Sequence, residues 1–430
     1  MTTTPWGESG ELKARKLRPG PSASRAEVAA NQRERMSGAM VAAVAEHGYE
    51  ATRVADVLEI SGVSRNTFYK HFANKLECFL ATMDAVVQCG GSAVESAYLD
   101  HEGPWDDRLA AGFGELIATI VAQPAAARLF YVESHAAGPE AVARVDEFGL
   151  RLEEIIRRAL DESPEHAGVP TELLRAILRG MRRVMQSRLR TGREAELTEI
   201  GPQLLRWGLG YRAPPQPLAH PTEPPPHEFE IRAPDPEDAR ERILSAVIDL
   251  MATKGYQSLT ITDIAQHGAV SLTTFYRHFQ GKDDAVVAAL RRSTNQVVEA
   301  VAPAFRGAPD WPHAVAAGLR AFFAFLVLPQ PFARFGGVDV IYSGSRFVLD
   351  VRQQLLSTAQ AFIAEGYHRH HAVEPIAGEA IGASIDALAF DQIVVRGEQR
   401  LYEITPTATY IALVPFTGVE EACAIANANG

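Results

Sequence analysis

Cysteine is scarce in this chain and follows no pattern. Cys78, Cys89 and Cys423 are the only three in 430 residues. An odd set without paired zinc-ligand spacing argues against both a disulfide framework and a structural metal. Long hydrophobic runs are lacking as well. The stretch Ala316 to Leu328 is interrupted by Arg320 and is shorter than a bilayer requires, so no membrane partner is expected. The first 35 residues are polar, basic and without the apolar core of a signal peptide, which makes a cytoplasmic location the expectation. Catalytic motifs are missing too. Gly-Val-Ser at Gly62 is not a Gly-x-Ser-x-Gly elbow, and no Walker-type Gly-Lys-Ser/Thr occurs. His368, His370 and His371 crowd beside Glu365, between Gly366 and Pro375, a spacing that suits a solvated helix end better than a metal. No enzyme, cofactor or metal is therefore expected, although a helical enzyme with an unrecognised site is the remote alternative.

Net positive charge is also absent, the formal value being −11. For nucleic-acid binding the clustering of cations matters more than the average. Lys13, Arg15, Lys16, Arg18, Arg25, Arg33 and Arg35 are opposed only by Glu11, Glu27 and Glu34, so the N-terminal stretch is locally basic. A solvated tail and a DNA-touching arm both fit such a run. The apolar fraction of 47% and charged fraction of 22% are those of a soluble globular protein, and the length allows two to four domains at ~150 residues each.

The chain repeats itself. RERMSGAMVAAVAEHGYEATRVADVLEISGVSRNTFYKHFANK from Arg33 aligns without a gap to RERILSAVIDLMATKGYQSLTITDIAQHGAVSLTTFYRHFQGK from Arg240, an offset of 207 positions. Similarity continues through Trp105 and Trp311, Gly112 and Gly318, Gln123-Pro124 and Gln330-Pro331, and finally LTEIGP at Leu197 and LYEITP at Leu401. A whole subunit is duplicated. Between the copies, 213–236 is proline-rich and reads as an extended, semi-rigid linker.

Nearly everything else reads as helix. Met36, Met40, Val41 and Val44, and in the second copy Ile243, Val247 and Leu250, recur at helical spacing. An all-α fold follows. A helix from about Arg33 to Glu46 should close at Gly48, and a second should reach about Ile60. Gly62 then marks a turn, and Ser64 is placed to cap a third helix opening at Arg65. Phe68 and Phe72 share its packing face, which leaves Arg65, Asn66, Thr67, Tyr69, Lys70 and His71 on or near the exposed side. This is helix-turn-helix punctuation. Arginine pairs with guanine, asparagine with adenine, and a threonine methyl touches thymine, so the opening of that helix is chemically able to read bases. Any one such residue taken singly is more often plain surface; the constellation, present twice, is the signal.

VSRNTFYKHFANK and VSLTTFYRHFQGK, each preceded by His/Lys-Gly-Tyr, resemble the signature of the TetR family of transcriptional regulators. The resemblance implies two tandem TetR-like units, each a three-helix DNA-binding head plus a helical effector and dimerisation body. Carried over by position, Ser64, Arg65, Asn66, Thr67, Tyr69, Lys70, His71 and Lys75 would contact double-stranded operator DNA in the first copy. Ser271, Leu272, Thr273, Thr274, Tyr276, Arg277, His278 and Lys282 are the second set. The implied layout is an arm at 1–27, heads at 28–89 and 237–296, bodies at 90–212 and 297–430, and the linker. Departures are uneven. Arg53 stands where the second copy has the capping Thr260, Leu58 where it has Ala265, Ala269 where the first copy has Gly62 with a glycine shifted to Gly268, and Leu272 replaces Arg65. The second head is thus expected to read DNA weakly or differently, or to be a scaffold that reads none.

The resemblance further implies a ligand-responsive repressor. Phe113, Leu116, Phe130 and Tyr131, and Phe322, Phe323, Phe325 and Phe332, are candidate effector-binding residues, weakly favouring an apolar or aromatic ligand, though a helical core explains the same stripes. Fusion of the copies suggests an intramolecular pseudo-dimer on an imperfectly palindromic operator, with further homodimerisation left open.

Overall fold

The computed structural model describes residues 1–17, 23–225, 235, 237–328, 332–343, 345–369 and 373–428. Arg18, linker positions 226–234 and 236, Gln330, Pro331, His370 and His371 lie outside the described residues. The apolar periodicity produces helices almost throughout. In the first copy these are α1 (Arg25–Ala51), α2 (Val54–Ser61), α3 (Arg65–His71), α4 (Lys75–Leu99), α5 (Trp105–Ala122), α6 (Pro124–Tyr131), α7 (Ser134–Ala137), α8 (Pro139–Asp161), α9 (Thr171–Thr191) and α10 (Leu197–Leu209). The second copy has α11 (Ala239–Ser258), α12 (Ile261–His267), α13 (Leu272–His278), α14 (Lys282–Arg306), α15 (Trp311–Leu326), α16 (Phe332–Arg334), α17 (Arg346–Thr358), α18 (Ala364–Arg369), α19 (Ala377–Arg396), α20 (Thr405–Thr417) and α21 (Val419–Ala428). No single helix among the described residues is long and apolar enough to cross a membrane.

The first helix is longer than its apolar pattern suggests. It starts at Arg25 because Ser24 and Glu27 form a reciprocal capping box, with the Glu27 backbone N–H on Ser24 Oγ and the Ser24 N–H on Glu27. At Gly48 the backbone leaves helical geometry, with φ 75° and ψ 162°, so two helical stretches meet across a kink at the glycine where closure is expected. The N-terminal stretch is not a free tail. Thr3–Thr4 pairs antiparallel with Gly7–Glu8, Leu12 is fully buried against Gly38 of α1, and Asn31 holds the backbone of Arg15 and Leu17.

The chain divides into two compact units, Met1–Ser163 with Met185–Leu205, and Pro164–Val184 with Arg206–Gly430. In the first, head and body share one core, since Phe68, Phe79 and Met83 pack in the same cluster as Ile117, Ile120 and Phe130. A buried bond from the Tyr49 N–H to Glu133 Oε2 at 2.8 Å ties the end of α1 to the body. Phe113 and Leu116 pack half-buried on this cluster, and Phe130 and Tyr131 lie within it.

The second unit joins the second copy to the closing segments of the first. Its head core, Ile243, Val247, Phe275 and Phe279, is continuous with Phe325, Phe332 and Phe335, and Phe325 stacks on Phe332 at 5.7 Å. Phe323 is fully buried and Phe322 half-buried. α20 is buried on nearly every side, as a helix apolar all round should be. Around it the described part of the linker is laid down as a strap. Tyr211 Oη donates to the Ile411 carbonyl at 2.7 Å, Tyr410 Oη to that of Arg212 at 3.0 Å, and Tyr402 Oη to that of Thr222 at 3.2 Å. Asn427 holds Ala219 and Pro217. Within the same unit Gly180 of α9 crosses Ser384 of α19 so closely that a Cβ at Gly180 would stand 2.9 Å from the Ser384 Cα, a distance no real side chain tolerates.

A π-helical turn, Phe335–Asp339, ends on a carboxylate whose side chain is nine-tenths buried. Burial pushes Asp339 up to about 6; Arg334, 3.4 Å away, opposes this in part, and Glu398 reinforces it. Because the folded value lies above the ordinary carboxylate value, the native state holds the proton more tightly than the unfolded chain. The resulting stabilisation is complete below the ordinary range and is lost as pH climbs through about 6. Asp339→Asn should therefore melt higher than the parent at pH 7.5, and thermal melts at pH 4.5 should bring the two together. A parent that is the more stable at pH 7.5 would show that the charged form is the favoured one.

Candidate nucleic-acid interface

The helices α3 and α13 are short, and each is capped at its start by its own serine. Ser64 accepts the Thr67 N–H at 3.2 Å, and Ser271 accepts that of Thr274 at 3.0 Å, so both helices open where the serine caps them. Each hydroxyl also pairs with its threonine Oγ1, at 2.8 and 2.9 Å, which ties Thr67 and Thr274 to the cap. Phe68 and Phe275 are fully buried, and Phe72 and Phe279 nearly so. With that face anchored, Arg65, Asn66, Tyr69 and Lys70 stand in solvent on α3, as do Leu272, Thr273, Tyr276, Arg277 and His278 on α13. Arg65 lies over the Tyr69 ring at 5.8 Å, a placement that holds the guanidinium near the helix start.

The same architecture recurs at the level of individual bonds. Arg35 donates to the Ser61 carbonyl, and Arg242, its counterpart, donates through Nε to the Gly268 carbonyl at 3.0 Å. Each clamps the turn before the recognition helix onto the first helix of the head. Lys75 Nζ reaches the Tyr49 carbonyl at 2.8 Å and sits 4.1 Å from the Tyr49 ring; Lys282 does the same to Tyr256 at 2.9 and 4.0 Å. These lysines satisfy carbonyls at the helix end. The geometry thus gives Lys75 and Lys282 a task inside the head that a basic residue at a helix start does not announce. Arg35, counted above with the basic arm, is buried and turned inward.

His71 is likewise engaged. Arg33 Nε donates to its Nδ1 at 3.3 Å, so in the neutral ring Nε2–H donates to Gln32 at 2.9 Å. Burial and then the Arg33 charge hold its pKa below the ordinary histidine value, which favours that neutral form. His278 is exposed. Further exposed cations beside the Gly62 turn come from the N-terminal segment. Leu12 anchors it, so Lys13, Arg15 and Lys16 stand outward, and Lys13 lies directly over the Gly62 turn.

The two turns differ in strain. Gly62 sits in the left-handed region at φ 63°, where glycine has no steric penalty. In the second copy that conformation stays at the equivalent Ala269, φ 50°, while Gly268 is at φ −77°; the neighbouring glycine does not take over the turn. An alanine there costs about 1–2 kcal/mol. The cap before α12 offsets part of this. Thr260 and Asp263 form a reciprocal box, and Lys254 Nζ pairs with Asp263 at 2.7 Å, holding its carboxyl down at about 2. In the first copy Arg53 has no hydroxyl to complete such a box; Asp56 accepts its backbone N–H at 2.7 Å, as Asp263 does that of Thr260, and pairs with the Arg53 guanidinium at 3.0 Å. Among the described residues no group of three or more metal-ligating side chains forms.

Two segments, 39–82 and 243–289, match the family described as bacterial regulatory proteins, tetR family. The HTH-type transcriptional activator FasR of Mycolicibacterium smegmatis is 29% identical over 90 residues, 21% of this chain and 41% of that protein. The HTH-type transcriptional repressor ComR of Escherichia coli is 36% identical over 67 residues, 13% of this chain and 32% of that protein. The chain thus spans less than half the length of the curated relatives it matches. Among solved structures, the fatty acid degradation regulator FadR from Bacillus halodurans aligns with 41% of this chain and 97% of its own, at 18% identity and a TM-score of 0.38. FadR from Bacillus subtilis in complex with stearoyl-CoA aligns with 40% and 96%, at 17% and 0.36. The helix-turn-helix geometry recurs at both places where the family model matches, so each of the two segments is similar to a DNA-binding head of the tetR family, and the chain resembles a tandem of two TetR-like units.

Proposed function

We propose that this chain is a DNA-binding transcriptional regulator, a ligand-responsive repressor located in the cytoplasm, whose two heads dock as an intramolecular pseudo-dimer. The observation that carries this reading is the exposed row Arg65, Asn66, Tyr69 and Lys70, held outward on a helix whose other face is buried, together with its counterpart on α13. Side chains at the start of such a helix reach base edges, and cations around it meet phosphates. The exposed Lys13, Arg15 and Lys16 beside the Gly62 turn support the arm as a phosphate-binding element. Pairing of the copies is supported by the crossing of Gly180 and Ser384 and by the strap from Tyr211 to Thr222.

The heads differ, so the operator is imperfectly palindromic on this reading. Leu272 is 46% exposed where the first copy carries Arg65, and that favours a second reading, in which the second head contributes scaffold and effector binding without reading bases. The effector is a small apolar or aromatic molecule taken up by the bodies, with the phenylalanines and Tyr131 named above as lining candidates. The Tyr49–Glu133 bond supplies a route from body to head, since a ligand preferring one body arrangement shifts the head with it. Selection of bound genomic fragments followed by footprinting tests the reading. Two half-sites of unequal sensitivity support it, a single half-site supports the scaffold version, and a strictly symmetric operator or no selected sequence overturns it.

A further inference from the structure

We infer that charge on the facing helices decides which copy pairs with which, so that the two halves of this chain accept one another and reject themselves. The inference rests on the proposed pairing of the copies. α9 of the first copy presents Arg179 and Arg183, and α19 of the second presents Asp391 and Asp386, forming the ion pairs Arg179–Asp391 and Arg183–Asp386. The four side chains keep only 22% and 25%, and 21% and 10%, of their exposure, so these are largely desolvated charges and not rim decoration. At the edge, Arg206 and Glu374 pair at 2.6 Å with the same polarity, cation from the first copy and anion from the second.

The closing part of the repeat runs at an offset of 204 positions, Leu197 to Leu401, which makes Ser384 the counterpart of Gly180. The helices therefore cross at matching positions, as they would about a two-fold axis, and the consequences of self-pairing can be read directly. With the first copy against itself, Arg182 takes the place of Asp386 and Ser187 that of Asp391, so Arg183 meets an arginine and Arg179 loses its carboxylate. With the second against itself, Ala387 and Ala383 replace Arg183 and Arg179, leaving Asp391 without that cation in a place mostly closed to water. Only the unlike pair satisfies both sides. Specificity here lies as much in what the self-pairs lack as in what the unlike pair gains. The face is consumed within one chain, and four-headed assemblies do not form through it.

The test uses full-length chain with a protease recognition sequence placed in 226–234, as the parent, as Arg179→Asp, as Asp391→Arg and as the two together. This pair is chosen because Asp386 is also held by Arg352 at 2.6 Å, which a reversal would disturb. After cleavage, light scattering on a sizing column reports whether the halves stay together. The expected result is that the parent stays whole, either single reversal weakens the association at least about tenfold, and the double reversal restores it. Mixing the two cleaved single variants should yield a hybrid of the acidic first half with the basic second. Separation of the cleaved parent would overturn the pairing itself. A parent that stays whole alongside both single variants, or a double reversal without recovery, would overturn the charge rule while leaving pairing intact.

Discussion

Arg65→Ala is expected to weaken operator binding roughly 10- to 100-fold, about 1–3 kcal/mol, while Leu272→Ala at the matching position should stay within about threefold. Arg65 stands exposed at the first turn of α3, with Tyr69 beneath its guanidinium. Such a side chain has two donors to place on a guanine edge. Leu272 offers a base edge only apolar contact. Titration of the selected operator with both variants, at one fixed salt concentration, checks this. Equal losses at the two positions would show that the heads read alike and that the asymmetry argued from Arg65 and Leu272 is wrong.

The second large effect concerns folding. Arg35→Ala should destabilise the first head by about 3 kcal/mol, because it removes a buried side chain and the charged donor to the Ser61 carbonyl together. In a unit of this size that corresponds to a fall in melting temperature of roughly 6–12 °C. Arg15→Ala should leave the melt unchanged and lower only the salt dependence of DNA binding, since that side chain is exposed. Arg242→Ala should fall between them, as its bond to the Gly268 carbonyl is kept in a more open setting. Thermal melts of the three variants separate the clamp from the arm. An unchanged melt for Arg35→Ala would return that residue to the arm.

Those two arginines show where sequence reasoning succeeds and where it stops. The cap at Ser64, the turn at Gly62 and the packing pair Phe68 and Phe72 were legible because each is a local matter: a hydroxyl three residues before a free N–H, a residue without Cβ, two rings one helical turn apart. The duplication was legible for the same reason, as a fixed offset. Charge is different. Seven cations near the N-terminus look alike in sequence, yet Arg35 clamps a turn, Arg33 holds His71, and Lys13, Arg15 and Lys16 face solvent. Which way a long side chain turns is set by carbonyls 26 or more residues away, such as Ser61 for Arg35 and Tyr49 for Lys75. The N-terminal hairpin is not legible because its two-residue strands are too short to show alternation, and the segment is held to the head by one buried leucine, Leu12, and by backbone bonds to Asn31. The Arg179–Asp391 pair joins residues 212 positions apart, which no local pattern can connect. Ala269 is the opposite lesson: a glycine next door suggested a shifted turn, and the backbone kept its place at the cost of strain.

The docked strap changes how such a regulator answers to its own abundance. Subunits made separately must first meet, so at low copy number the species able to hold both half-sites grows as the square of what the cell produces. A chain whose second half is already fastened to its first through Tyr211, Tyr402 and Asn427 has no such step. Its halves meet at a local concentration fixed by covalent geometry rather than by expression. On the proposed function, in which the fused pair is the species that docks, occupancy of the operator would rise in direct proportion to the number of chains.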